Sequence, residues 1–219
     1  MRVSLVGTVH AESGQASIGE LQAILERAQP GVIFAEIPAG DVGRYKDGSH
    51  GNLESTAVAR YHPGHHVDLV PVDLAKPEQK FFEDAKEMFA AVERTSPDYR
   101  RMVDRLSDDT RAGGFPYLNS DRCIQSWADV YREMLATIEW IGDSRLRETY
   151  DLWNHTNELR DREMMKNIKI YCARNPVARG VFLVGAAHRK SIIEKGFAGD
   201  GTGLPRIEWD LGGFLEDAG

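Results

Sequence analysis

The sequence predicts an α/β fold: a mainly parallel, mixed central sheet flanked by helices, with a large α-helical insertion forming a cap over the cleft. Three observations predict it. The hexapeptide L-V-G-T-V-H at 5–10 nearly recurs as L-V-G-A-A-H at 183–188, each an apolar run that stops at a glycine and leads into a histidine. Residues 2–37 read as apolar run, helical period, apolar run, the pattern of a βαβ unit. Residues 76–174 carry helical periodicity and no convincing strand pattern. Together they predict a single α/β domain over residues 1–219, with 76–174 inserted within it.

The first strand is V-S-L-V at 3–6, ending at Gly7. Apolar residues at 18, 21, 24, 25 and 28 have helical spacing. Ser17 is placed to cap that helix, Glu20 to complete a capping box, and Pro30-Gly31 to stop it. G-V-I-F-A-E-I at 31–37 is the second strand, expected to run parallel to the first. Residues 39–66 turn rich in Gly, Asp, Ser and His, with a short helix around 54–61, and read as a long connection placed to lie over a site.

V-D-L-V-P-V-D at 67–73 is the third strand, and its Pro71 points to an edge or a bulge. The insertion contains one helix marked by Phe81, Phe82, Ala85, Met88, Phe89 and Val92. A second, marked by Tyr99, Met102, Val103 and Leu106, ends in a turn at 112–116. A third is capped at Ser120 or Asp121, and after Gly142 a long helix spans 143–173. V-F-L-V at 181–184 is the fourth strand, a helix follows at 187–194, and 207–211 is a last short strand. The glycine-rich stretch 196–205 neither follows a strand nor opens a helix, so it lacks the context of a dinucleotide site. There is also no G-x-S-x-G nucleophile elbow and no phosphate-binding G-x-x-x-x-G-K sequence.

Composition narrows the function classes. Of 219 residues, 42% are hydrophobic and 28% charged, an ordinary globular balance. A net charge of −7 without a basic cluster argues against nucleic acid as a partner. No apolar run approaches the roughly 20 residues of a membrane span, and the short N-terminal run leads directly into the first strand instead of forming a signal peptide. Cys123 and Cys172 lack C-x-x-C spacing and read as reduced thiols, so a cytoplasmic protein is expected.

Polar groups then fall at one sheet edge. His10, Glu36, Asp73 and His188 follow or end four strands at their carboxyl ends, where open parallel sheets bind ligands. Glu36 interrupts an apolar stretch, so burial there demands a partner: an arginine, a histidinium or a metal ion. The long helix supplies an arginine. Its apolar stripe, Leu146, Tyr150, Trp153, then Met164, Ile168 and Tyr171, passes through Asn157 and Arg160, so these polar groups sit on a core-facing side.

His10, Glu36 and His188 could hold a divalent metal (Mn, Co or Zn) with an open position and activate water. Without a metal, one histidine would act as general base, Glu36 would orient it and Arg160 would stabilise an oxyanion. Asp73 is a weaker, supporting candidate. A rival tract, H-P-G-H-H with His62, His65 and His66, lies on a polar loop and reads as surface.

These residues also carry a family resemblance. G-T-V-H at 7–10, Glu36, R-D-R-E-M-M-K-N-I at 160–168 and G-A-A-H at 185–188 follow one another in a recognisable order. The chain resembles the superfamily of TraB/PrgY pheromone-shutdown proteins, GumN-like proteins, Tiki proteases, erythromycin esterases and ChaN haem-binding lipoproteins. The resemblance implies a sheet with a helical cap, site residues His10, Glu36 and His188, and Arg160 as the family's helix arginine. Tiki-like members are divalent-metal proteases, erythromycin-esterase-like members hydrolyse esters with His and Glu, and others bind haem. The chain departs in having no G-H-N form at its second histidine motif and in carrying Asp161 where the TraB-type motif has asparagine. The expected activity is hydrolysis of an ester or amide bond in a small-molecule or peptide substrate. A non-catalytic ligand-binding or haem-binding protein is the alternative.

Overall fold

The computed structural model describes residues 1–176, 178–197 and 207–215. Its sheet has five strands: β1 (Arg2–Thr8), β2 (Val32–Ala35), β3 (Asp68–Pro71), β4 (Arg179–Gly185) and β5 (Glu208–Asp210), in the order β3-β2-β4-β1-β5. Every strand pairing is parallel, so the sheet is α/β as expected but not mixed among the described residues. β1 and β2 run parallel without touching, because β4 inserts between them. The strands carrying the two hexapeptides are therefore direct neighbours. Their register is offset by one residue, Leu5 opposite Phe182 and Thr8 opposite Gly185.

Alternation along the strands explains the two covered faces. Val6, Ile33, Ala35, Val181 and Leu183 turn toward α1 (Ile18–Ala28) and α3 (Leu53–Tyr61). Val3, Leu5, Val32, Phe34 and Phe182 turn toward Met164, Met165 and Ile168 of α7 (Ser144–Arg174) and Ile192 of α8 (Arg189–Phe197). A parallel sheet buried on both faces needs such continuous apolar strands. Ser17 caps α1 by accepting from Glu20 N, but the expected capping box is only half formed. The Glu20 carboxylate instead accepts from Phe115 N at 3.4 Å.

Between β2 and β3 lie α2 (Val42–Lys46) and α3, with Asn52 capping α3 and Leu53 N donating to His10 O at 2.8 Å. The insertion is four helices: α4 (Gln79–Thr95), α5 (Pro97–Leu118), α6 (Asp121–Ile141) and α7. The turn expected at 112–116 is a kink instead: Gly114 takes φ 52° and the helix re-forms through Leu118. Any side chain there would add backbone strain and meet Glu20 Oε2 at 2.7 Å. Met88, Val92, Met134 and Ile138 form the cap's own core, joined by Leu146, Tyr150 and Trp153 of α7. α7 thus leaves the cap core at Trp153 and enters the sheet core at Met164. Asn157 and Arg160 fall in the gap.

Cys123 and Cys172 are both free thiols. No helix is long and apolar enough to cross a membrane among the described residues. The glycine-rich stretch at 196–205 lies mostly outside the described residues.

Candidate active site

Arg160 organises the charged centre. Its Nε and Nη2 reach both oxygens of Asp73 at 2.8–3.2 Å, and Nη2 reaches Glu36 Oε1 at 2.5 Å. Nη1 makes one longer bond to Asn157 Oδ1 at 3.4 Å. A guanidinium carries five N–H donors, so this pattern leaves one Nη1 proton uncommitted among the described residues. Burial works against the Arg160 charge, but Asp73 and Glu36 outweigh it and raise the pKa further. Glu36 follows β2 directly. Its Oε2 accepts from Gly185 N at 2.7 Å, which ties it to the end of β4.

His188 packs behind Glu36. Its Nε2 lies 3.4 Å from Glu36 Oε1, and its Nδ1 lies 2.7 Å from Oδ1 of the buried Asp161. Burial alone would lower its pKa, yet Glu36 and Asp161 together raise it above 6.5. Asp161 is one residue from Arg160, so a single turn of α7 serves both sides of Glu36. The register offset has a visible result. β1 continues to Thr8, whereas β4 ends at Gly185 and turns at once through Ala186–His188. His10 therefore stands 72% exposed by its side chain, and His188 only 15%.

His10 has a carboxylate partner that no sequence pattern flagged. Glu54, on α3, is 3% exposed, and its Oε1 lies 3.1 Å from His10 Nδ1 and accepts from Thr8 Oγ1 at 2.7 Å. The hydrogen bond to Glu54 raises the His10 pKa above 6.5. Each site histidine thus has Nδ1 engaged by a buried carboxylate. His10 Nε2 has no hydrogen-bond partner among the described residues.

Searches of the chain against protein-family models, curated proteins and solved structures return no match.

A cavity of about 370 Å³ opens at this sheet edge, lined by His10, Glu36, Asp73, Asn157 and Arg160 together with residues of the connections after β2 and β3. Such a volume suits a small organic ligand. His50 lines the wall with a buried Nδ1 that has no partner among the described residues, and Glu54 Oε2 is likewise open. The connection at 39–66 is thus part of the site: it delivers Glu54, His50 and Asn52.

The sequence-predicted residues largely converge. His10, Glu36, Asp73, Asn157 and Arg160 share the cavity, while His188 and Asp161 sit behind Glu36. The tract at 62–66 stands apart, with His65 stacked on Tyr61 at 3.8 Å and within 3.2 Å of Glu26. As metal donors, His10 and His188 have the anchored Nδ1 that orients an imidazole for a metal ion. Arg160, however, occupies Glu36 Oε1, the oxygen that faces His188 Nε2. No group of three or more His, Cys, Asp and Glu among the described residues is arranged to hold an ion.

Arg189 and the two hexapeptide glycines matter to the scaffold. Arg189 is 2% exposed and makes no carboxylate contact among the described residues; its guanidinium donates to Leu5 O, Leu211 O and both oxygens of Asn119 at 2.7–3.3 Å. Burial lowers its pKa to about 10. Its Cδ lies where a Gly7 side chain would begin, 2.5 Å from that position. The glycines of the two hexapeptides therefore differ: Gly7 makes room for Arg189, while Gly185 presents its N–H to Glu36.

Proposed function

We propose that the protein hydrolyses an ester or amide bond of a small-molecule or peptide substrate, with His10 as general base. The observation that carries this reading is the Thr8–Glu54–His10 chain, which fixes the Nδ1 side of an imidazole and leaves Nε2 open at a cavity that a half-buried arginine, Arg160, also lines. A carboxylate behind a histidine sets its tautomer and steadies the imidazolium that forms. Water would give a proton to His10 Nε2 and add its oxygen to the carbonyl carbon. The uncommitted Arg160 Nη1–H would bind the oxyanion, and His10 would return the proton to the departing oxygen or nitrogen. Glu36 and Asp73 hold Arg160 in place, and His188 with Asp161 holds Glu36. The resemblance to erythromycin-esterase-like and Tiki-like proteins points to the same bond classes.

A second reading is favoured by the anchored Nδ1 of both histidines: a divalent ion (Mn, Co or Zn) held by His10, Glu36 and His188. Bound there, the ion would lower the pKa of water and polarise a carbonyl. Assay of untagged protein on an ester and peptide panel, with metal analysis and chelator treatment, tests both. Turnover that survives chelation and is lost in His10→Ala supports the general base. Stoichiometric metal that disappears in His10→Ala supports the ion. No metal and no turnover across the panel sinks both in favour of a ligand-binding protein, and a Soret band on haem addition would specify haem.

A further inference from the structure

We propose that the groove between α4 and α7 is a second substrate subsite, which takes an uncharged aromatic or alkyl tail of the molecule cleaved at Arg160 and His10. The proposal rests on the hydrolase reading for the chemistry at the charged centre, but not for the groove itself. A depression of about 480 Å³ runs along the cap, walled by Phe81, Phe82 and Phe89 of α4 and Trp153 of α7. It shares Phe81, Phe82, Asn157 and Arg160 with the cavity of the charged centre. One ligand could therefore touch both regions without leaving the protein surface, with Arg160 at the junction.

Helical spacing builds the wall. Phe82, Lys86, Phe89 and Glu93 recur at intervals of three or four along α4 and so share a face; Trp153, Asn157 and Arg160 do the same on α7. From Phe82 to Glu93 that face is about 16 Å long, enough for a ring or a medium-length chain. Phe89 and Trp153 meet edge to face, 5.6 Å between ring centres at 88°, so the aromatic surface is held in a set geometry. Phe82 remains 47% exposed at the junction, a large apolar surface that a ligand would cover.

Charge decides the class of tail. Lys86 and Glu93 are the ionic residues of the groove apart from Arg160, which is matched by Glu36 and Asp73. Their charges cancel, so neither an anionic nor a cationic tail is selected. The polar end of the ligand belongs at Arg160 and its apolar end between Phe82, Phe89 and Trp153. Burial of each added methylene should strengthen binding about fourfold until the groove is full.

The test pairs turnover with binding. With 4-nitrophenyl acetate and hexanoate as substrates, the hexanoate should have a kcat/KM at least about tenfold higher. Ala90 of α4 also lines the groove, so Ala90→Trp, which fills it, should cut the hexanoate-to-acetate ratio at least about tenfold. Independently, 4-phenyl-2-butanone, a ketone that cannot be hydrolysed, should bind measurably better than acetone and quench Trp153, as judged against Trp153→Phe. Equal ratios in wild type and Ala90→Trp, or ketone binding that ignores the aromatic tail, overturn the subsite. Tail-dependent ketone binding without ester or amide turnover keeps the subsite and overturns the hydrolase reading. Melting curves establish that each variant is folded, and the ketone titration of wild-type protein decides the point if Ala90→Trp does not fold.

Discussion

Glu54 Oε1 lies 3.1 Å from His10 Nδ1, although the two residues come from different elements and are 44 positions apart. α3 is seated there because Leu53 N bonds the carbonyl of His10 itself, so successive residues of α3 hold His10 by its backbone and by its ring. Glu54→Gln should lower kcat/KM by roughly tenfold to a hundredfold. The carboxylate raises the His10 pKa, so its loss should lower that pKa and move the acid limb of the rate profile to lower pH. NMR titration of the His10 ring checks the cause. An unchanged titration midpoint would remove Glu54 from the site.

Arg160 pairs with two carboxylates at once. Arg160→Met should destabilise the protein by roughly 3–5 kcal/mol in urea unfolding, because Glu36 and Asp73 would remain buried without a cation. Arg160→Lys should recover only part of this, since one ammonium cannot reproduce the forked contacts. Full recovery by lysine would show that charge alone, not geometry, is what the site requires.

Stability should also depend on pH through His188. Its folded pKa lies above the ordinary 6.5, so its protonated form favours the folded state. That contribution is fully present below pH 6.5 and is lost as pH rises through the folded pKa. Unfolding free energy should therefore decline from pH 6.5 upward, and more shallowly in His188→Asn, with His10 accounting for part of the remaining slope. Identical slopes in wild type and variant would contradict this.

The two hexapeptide glycines offer a paired comparison. Gly7→Ala would press a methyl group onto Arg189 Cδ, at 2.5 Å, on a side chain pinned at several points. It should cost roughly 1–3 kcal/mol. Gly185→Ala meets only Glu36 Oε2 and His188 Cδ2 at 3.5–3.6 Å, ordinary contact distances. Its cost should stay below about 1 kcal/mol. Equal losses in thermal or urea melts would mean that Arg189 yields more readily than its bonds imply.

The charged centre was legible because each of its members breaks a pattern. Glu36 interrupts a strand, Arg160 and Asn157 interrupt an apolar helix stripe, and the two histidines close a repeated motif. The strands themselves were readable as continuous apolar runs, since both faces of the sheet are covered. Glu54 was not legible. It sits in a short helix buried by packing against α1 and α2, with its carboxylate reaching Thr8 at the end of β1, and no local periodicity reports that. Arg189 escaped for a related reason, because its carbonyl partners are scattered over Leu5, Asn119 and Leu211. The insertion of β4 between β1 and β2 is equally invisible to local reading: strand order is decided by long-range pairing.

α7 is 31 residues, an uninterrupted rod of about 46 Å. One end is embedded in the cap, the other lies against the sheet, and Arg160 is fastened to the strand ends between them. Mechanically this is a beam clamped at both ends and riveted near its middle. The cap cannot swing outward unless the beam bends or the rivet shears. On the proposed function, a substrate would enter a preformed socket past the exposed side chains of Leu74 and Phe82, which line its mouth, with little energy diverted to closing a door.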